Sequence, residues 1–275
     1  MIDGEATIAH DGSIPGFLCA CADMLNTREP VPRILRADVP ESLFEARCAT
    51  VRDDDRAMRL WKRMSRRFGP AILLLLLEAF LSDIAGADSA VAAVMRRLWL
   101  EGPSVLHDLS EASMLITEKA ALRAREEAHR MCGLIRFSEL ADSSWYAPIS
   151  PACDVLILVA EHFATRFEPM RFAIHDLGRG SAIMHEPGQG WSIMSEFDLD
   201  SGTGADGLPL SEEEHHISDL WRTYHQSIAI EARRNPRLQA SRMPKRYWDE
   251  LVEMTGPDNS PKEDSVGPIY LSPRR

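Results

Sequence analysis

The chain has 275 residues, 42 of them acidic and 31 basic, for a net charge of −11, with 45% hydrophobic and 27% charged residues. This composition excludes an intrinsically disordered chain and supplies enough apolar material for one large core or two small ones. It also argues against a surface coated all round by nucleic acid, so any contact with a polyanion has to come from a locally basic segment.

The opening residues, Met1 to Gly12, are polar and acidic and do not read as a secretory leader, so a cytoplasmic protein is expected. Asp11-Gly12 is a turn signal, and Phe17 to Leu25 reads as a short helix ended by Pro30 and Pro32. Cysteines stand at 19, 21, 48, 132 and 153. The odd number and the spacings match no disulfide framework, no zinc site and no iron–sulfur motif, which predicts a reduced protein without metal or cofactor.

A stronger helix follows, opened by Asp53, Asp54 and Asp55, closed by Arg66 and Arg67 and stopped by Gly69-Pro70. It is two-faced at 100° per residue. Ala57, Met58, Leu60, Trp61, Met64 and Phe68 share an apolar face; Arg59, Lys62, Arg63, Arg66 and Arg67 share the opposite one. The basic face is either simply solvated or a phosphate-binding strip. Helices are predicted over 71–82, 88–100 and 105–132, making the first half almost wholly helical. The leucine run at 73–77 is too short to span a bilayer and reads as a core helix, so no membrane association is expected.

The pattern then changes. Leu134 to Leu140 and Trp145 to Ile149 read as the strands of a hairpin. Val155 to Phe167 reads as a helix, and Arg171 to His175, Ser181 to Glu186 and Trp191 to Phe197 as three more strands. Residues 198–210 read as a surface loop. Ser211 and Glu214 match a capping box, opening a helix through Leu220, Trp221, Tyr224, Ile228 and Ile230, and a last short helix is expected near Pro244. The predicted class is α+β: a helical N-terminal half, then a small antiparallel sheet with a packed helix and C-terminal helices. The boundaries are residues 1–132, mainly helical, and 133–254, α+β and continuous with the first, then a disordered tail over 255–275.

Three stretches carry candidate chemistry. From Arg222 to Tyr247 the chain holds seven Lys/Arg against the single acid Glu231, a local charge of +6 that leaves −17 on the remainder. Arg233, Arg234, Arg237, Arg242, Lys245 and Arg246 supply cations, Asn235 a hydrogen-bonding amide, and Tyr247 and Trp248 stacking surfaces, the mixture that phosphates and unstacked bases require. The alternatives are pairing with the acids at 212–214, solvation, and core burial of the aromatics. In the second stretch Glu126 and His129 share a helix face and Arg130 follows; they could hold a metal, though two ligands are too few for a zinc site, or form an acid/base pair, but a capped helix end at Gly133 is the favoured reading. In the third, His175 and Asp176 end a strand before a Gly-flanked Arg179. Adjacent strand residues point to opposite faces, so a turn initiated by Asp176 is favoured over a dyad.

Several blocks in order, over about residues 8–254, resemble a bacterial family of DNA-metabolism proteins defined by a domain of unknown function. They are His10-Asp11-Gly12-Ser13 then Gly16-Phe17-Leu18, Glu127-Ala128-His129-Arg130-Met131 with Arg136-Phe137, Tyr146-Ala147-Pro148-Ile149, His162-Phe163 with Arg166-Phe167, Ile174-His175-Asp176, Ile228 to Glu231, Arg234 to Gln239 and Met243 to Trp248. The resemblance implies a stand-alone relative of domains found fused to uracil-DNA glycosylase-like domains, and a companion of a radical-SAM protein of DNA modification or repair. Two functions follow as expectations. One is an accessory protein that holds DNA, duplex or single-stranded, while a partner supplies the chemistry. The other is an enzyme acting on a nucleic-acid base or nucleotide, with His129, Arg130 and His175 at the site.

Overall fold

A computed structural model of the chain describes residues 6–27, 32–40, 46–197 and 209–255. The expected tail and most of the expected loop at 198–210 lie outside these residues. The class is α+β. The chain divides into two compact units, residues 1–129 with 152–158, and residues 130–151 with 159–275.

The first unit departs from the nearly all-helical expectation. It holds a three-stranded parallel sheet in the order β2-β1-β3, formed by β1 (Ala6–His10), β2 (Arg33–Arg36) and β3 (Ala46–Ala49). Parallel strands require a crossover of a dozen residues or so, and α1 (Ile14–Asn26) supplies the one from β1 to β2. Ser13 caps α1 by accepting the Gly16 N–H, while Asp11 Oδ1 accepts from the Ser13 N–H and hydroxyl.

Next comes α2 (Asp54–Phe68), capped by Asp53, which accepts the Arg56 N–H, and ended at Gly69 with φ +85. Its Ala57, Leu60 and Met64 are buried, Trp61 and Phe68 are partly buried, and Met58, assigned to the apolar face, is exposed. α3 (Pro70–Phe80) and α4 (Ala87–Glu101) pack against them, and α5 (Ala112–Leu134) follows. Phe17, Met24, Leu73, Phe80, Val91, Val94 and Leu98 fill the core; full burial of such a side chain is worth about 1.5–3 kcal/mol before entropy is counted. No helix among the described residues is long and apolar enough to cross a membrane.

The second unit is built on a five-stranded sheet in the order β4-β5-β6-β7-β8: β4 (Ser138–Glu139), β5 (Trp145–Ile149), β6 (Phe172–Asp176), β7 (Ser181–Glu186) and β8 (Gly190–Met194). It is mixed, not wholly antiparallel. β5 and β6 pair in parallel, with Pro148 opposite His175, because α6 (Leu156–Arg166) carries the chain back to the same end of the sheet. The first hairpin strand shrinks to two residues because α5 continues to Leu134. The central strand β6 is buried throughout, and Phe137 packs edge-on against Phe163, Phe167 and Phe172.

α7 (Glu212–Ser227) starts at Ser211, whose hydroxyl accepts the Glu214 N–H. Glu214 does not complete the capping box. Its carboxylate accepts instead from the Glu139 N–H and the Ser218 hydroxyl. A 3-10 turn (Glu231–Arg233), α8 (Pro236–Arg242) and 3-10 turns at Lys245–Glu250 and Val252–Met254 complete the unit.

Candidate nucleic-acid interface

The basic segment is folded and displayed. Asn235 accepts the Leu238 N–H at 3.0 Å, and Pro236, with φ already set for a helix, occupies the first position of α8. Downstream, Tyr247 and Leu251 are buried at 3% and 1% exposure, tying the segment to the body of its unit. Between these fixed points Arg237, Arg242, Lys245 and Arg246 are exposed, as are Arg233 and Arg234 just ahead of the Asn235 cap. Arg233, Arg237, Arg242 and Lys245 form no ion pair among the described residues, so pairing with Glu212, Glu213 or Glu214 does not account for these four.

The aromatics behave differently from the stacking expectation. Tyr247 is buried, and its hydroxyl accepts from the Arg246 guanidinium at 2.6 Å, with that guanidinium 4.7 Å from the ring centre. Tyr247 therefore offers no ring face to a base; it anchors the segment and positions Arg246. The Trp248 indole N–H donates to the Met243 carbonyl at 3.1 Å, and Lys245 lies 5.7 Å from the ring centre.

Behind this segment an ion pair is sequestered. Glu253, 5% exposed, accepts from both the Nη2 (2.7 Å) and Nε (3.3 Å) of Arg136 and from the Trp221 indole at 3.0 Å. Burial alone would raise the Glu253 carboxyl. The guanidinium and the other donors outweigh it and hold the group below its ordinary value. On α7, Leu220, Trp221 and Tyr224 are exposed, as are Ile228 at its C-terminal cap and Ile230 beyond it, so the apolar residues read in this helix do not enter a core.

The residues of the enzymatic expectation have separate surroundings. His129 is exposed on α5 and makes no hydrogen bond or ion pair among the described residues. Arg130, next along α5, is half-buried. His175 is buried in β6, where its Nδ1 lies 2.8 Å from the Tyr146 hydroxyl and its ring packs edge-on against Phe197. Asp176 turns away from it. Its Oδ1 accepts the Gly178 and Arg179 N–H groups and its Oδ2 the Arg179 guanidinium, closing the turn after β6. His162 and Arg166 are exposed on α6. Among the described residues no group of three His, Cys, Asp or Glu side chains gathers in a metal-ligating arrangement. Cys19, Cys21 and Cys153 are buried, and burial raises the thiols of Cys21 and Cys153, the latter to about 11.

One polar cluster in the first unit escaped the sequence reading. His10 at the end of β1 accepts the Gly12 N–H on Nδ1 at 3.1 Å, which leaves Nε2 as the protonated nitrogen facing Asp88 Oδ2 at 3.2 Å. Arg36 donates to the same oxygen at 2.9 Å. Asp88 lies 78 residues from His10, beyond any local pattern.

Comparison with known families gives one match: the profile of the domain of unknown function DUF4130 aligns with residues 85–253. The chain belongs to this family. The DUF4130 region takes in His129, Arg130, His175 and the entire basic segment, and starts after α2. No curated protein and no solved structure matches the chain.

Proposed function

We propose that this DUF4130 protein is an accessory factor in DNA metabolism that holds DNA through the segment from Arg233 to Arg246. The partner that supplies the chemistry is then the radical-SAM protein of DNA modification or repair implied by the family resemblance. The observation that carries the reading is the run of exposed cations from Arg233 to Arg246 on a segment fixed by the Asn235 cap and the buried Tyr247, four of them without an ion pair among the described residues, in a chain of net charge −11. Such a run costs stability through self-repulsion, and phosphates neutralise it with release of condensed counterions. With Tyr247 buried, contact to the backbone carries the binding, and preference for single strands is not required. The enzymatic reading has less support, because His129 and His175 each sit in surroundings that account for them, one solvated and one bonded to Tyr146.

Fluorescence anisotropy of labelled oligonucleotides across a salt series tests this. Replacing Arg233, Arg237, Arg242 and Lys245 together by alanine should reduce the slope of log affinity against log salt by about 3–4 on duplex and by about 3 on single strands. An unchanged slope would remove the segment as the DNA site.

A further inference from the structure

The basic face of α2 is a second cationic surface, in the other unit and outside the matched family region. Arg59, Lys62, Arg63, Arg66 and Arg67 are all exposed and together line one open groove. None of the five forms an ion pair among the described residues. Of the acids at the start of the helix, Asp53 caps the Arg56 N–H, Asp54 is bridged by Arg52, and Asp55, one turn before Arg59, is exposed and forms no ion pair with it. The face cannot roll away from solvent, because the opposite side is locked into the core by Ala57, Leu60 and Met64. Two of the cations are also held in place. The guanidinium carbons of Arg63 and Arg67 each lie 4.6 Å from the centre of the Trp99 ring on α4.

A solvated face is normally laced with alternating charges, since like charges three or four residues apart repel. Here 59/62, 59/63, 62/66, 63/66 and 63/67 are all like-charged neighbours, and no acid is interspersed between them. The cations recur at each helical turn over about 12 Å of helix axis, the rise of three to four base pairs of duplex. A single small anion would occupy two or three of them. An extended row of anions at nucleic-acid spacing engages all five. Among the described residues the exposed apolar side chain beside this face is Met58, a single residue and not the apolar stripe that a helix lying in a lipid headgroup layer buries, so the charge array carries the recognition.

We infer that α2 is a nucleic-acid backbone site, with Arg59, Lys62 and Arg66 contacting phosphates and Arg63 and Arg67 presented on Trp99. It is independent of the segment from Arg233 to Arg246. The test uses the full chain and three variants: Arg59→Ala/Lys62→Ala/Arg66→Ala, the C-terminal quadruple alanine variant, and their combination. Alanine at exposed helical positions favours the helix and relieves repulsion, so the melting temperature of the triple variant should not fall. Titration of a labelled duplex over a salt series should show a slope smaller by about 2.5–3 for the triple variant, in the wild-type and quadruple backgrounds alike. An unchanged slope overturns the inference. So does competition by poly-glutamate as effective as by duplex at equal charge, or loss in the triple variant of binding to phosphatidylserine vesicles with duplex binding intact; these would assign the strip to an acidic protein or a membrane. A silent quadruple variant beside an affected triple variant keeps the α2 site and removes the C-terminal one, and the reverse result does the opposite. Glutamine in place of alanine at the same three positions gives a second variant if the first folds poorly.

Discussion

The Tyr146 hydroxyl on β5 and His175 Nδ1 on β6 lie 2.8 Å apart inside the second unit, joining two parallel strands by their side chains as well as their backbones. Replacing Tyr146 by phenylalanine deletes this buried hydrogen bond, a loss of about 0.5–1.5 kcal/mol measurable by urea unfolding. The Tyr146 phenol is pushed up to about 12 by burial. A folded-state value raised above that of the unfolded chain, near 10, means the unfolded state deprotonates first. This contribution is constant below about pH 10, and stability is lost as pH rises from there to about 12. Absorbance at 295 nm should show less late-titrating phenol in Tyr146→Phe than in the parent, by the amplitude of one tyrosine. A variant as stable as the parent would show that the bond contributes nothing.

The pair of Arg136 and Glu253 predicts the opposite pH window. Glu253 is held below its ordinary value, so its contribution is present above the unfolded carboxyl value near 4.3 and is lost as pH falls through the folded one. Glu253→Gln should cost about 2–3 kcal/mol at neutral pH, less than the 3–5 of a fully buried pair because Arg136 keeps some solvent contact. The difference between variant and parent should close in acid. A gap that persists at pH 3 would mean that shape, not charge, holds this corner together.

Gly16 is tied to Asp11 by space. A Cβ at residue 16 would stand 2.0 Å from Asp11 Oδ1, the oxygen that accepts both Ser13 donors ahead of α1. Gly16→Ala should therefore destabilise by about 1–3 kcal/mol. In Asp11→Ala the obstacle is gone, so the double variant should lose less than the sum of the singles. Strict additivity in a double-mutant cycle would refute the clash.

His129 supplies a control on the enzymatic alternative. Because its side chain is exposed and makes no polar contact among the described residues, His129→Ala should shift stability by no more than about 0.5 kcal/mol and leave the affinity for DNA unchanged. Unaltered function of this variant in cells would remove the catalytic reading of that residue; loss of function at full stability would revive it.

What could be read from the sequence was local. The limits of α2 follow from Asp53 and Gly69; the short helix expected near Pro244 instead starts earlier, at Pro236, where the Asn235 side chain caps it, and only a 3-10 turn follows Pro244. The parallel strands were missed because Arg33–Arg36 and Ala46–Ala49 are four residues each, too short and too charged for a period-two pattern to show. The hairpin strand from Leu134 was overextended because a strand cannot be told from a helix continuing through Gly133 by composition alone. The fate of Tyr247 was open for a different reason. Whether a ring beside arginines stacks on a base or enters a core depends on the direction of a 3-10 turn and on Met131 and Pro148, more than ninety residues upstream, which line one cleft together with it.

The Asn235 cap and the buried Tyr247 also have a kinetic corollary. A basic tail that folds on contact spends part of its attraction on ordering, and its capture slows accordingly. Here the cations of α8 are set in place before any partner arrives, so encounter needs no folding step. Salt should then act mainly on the rate of arrival, while residence time is set by the number of phosphates engaged at once.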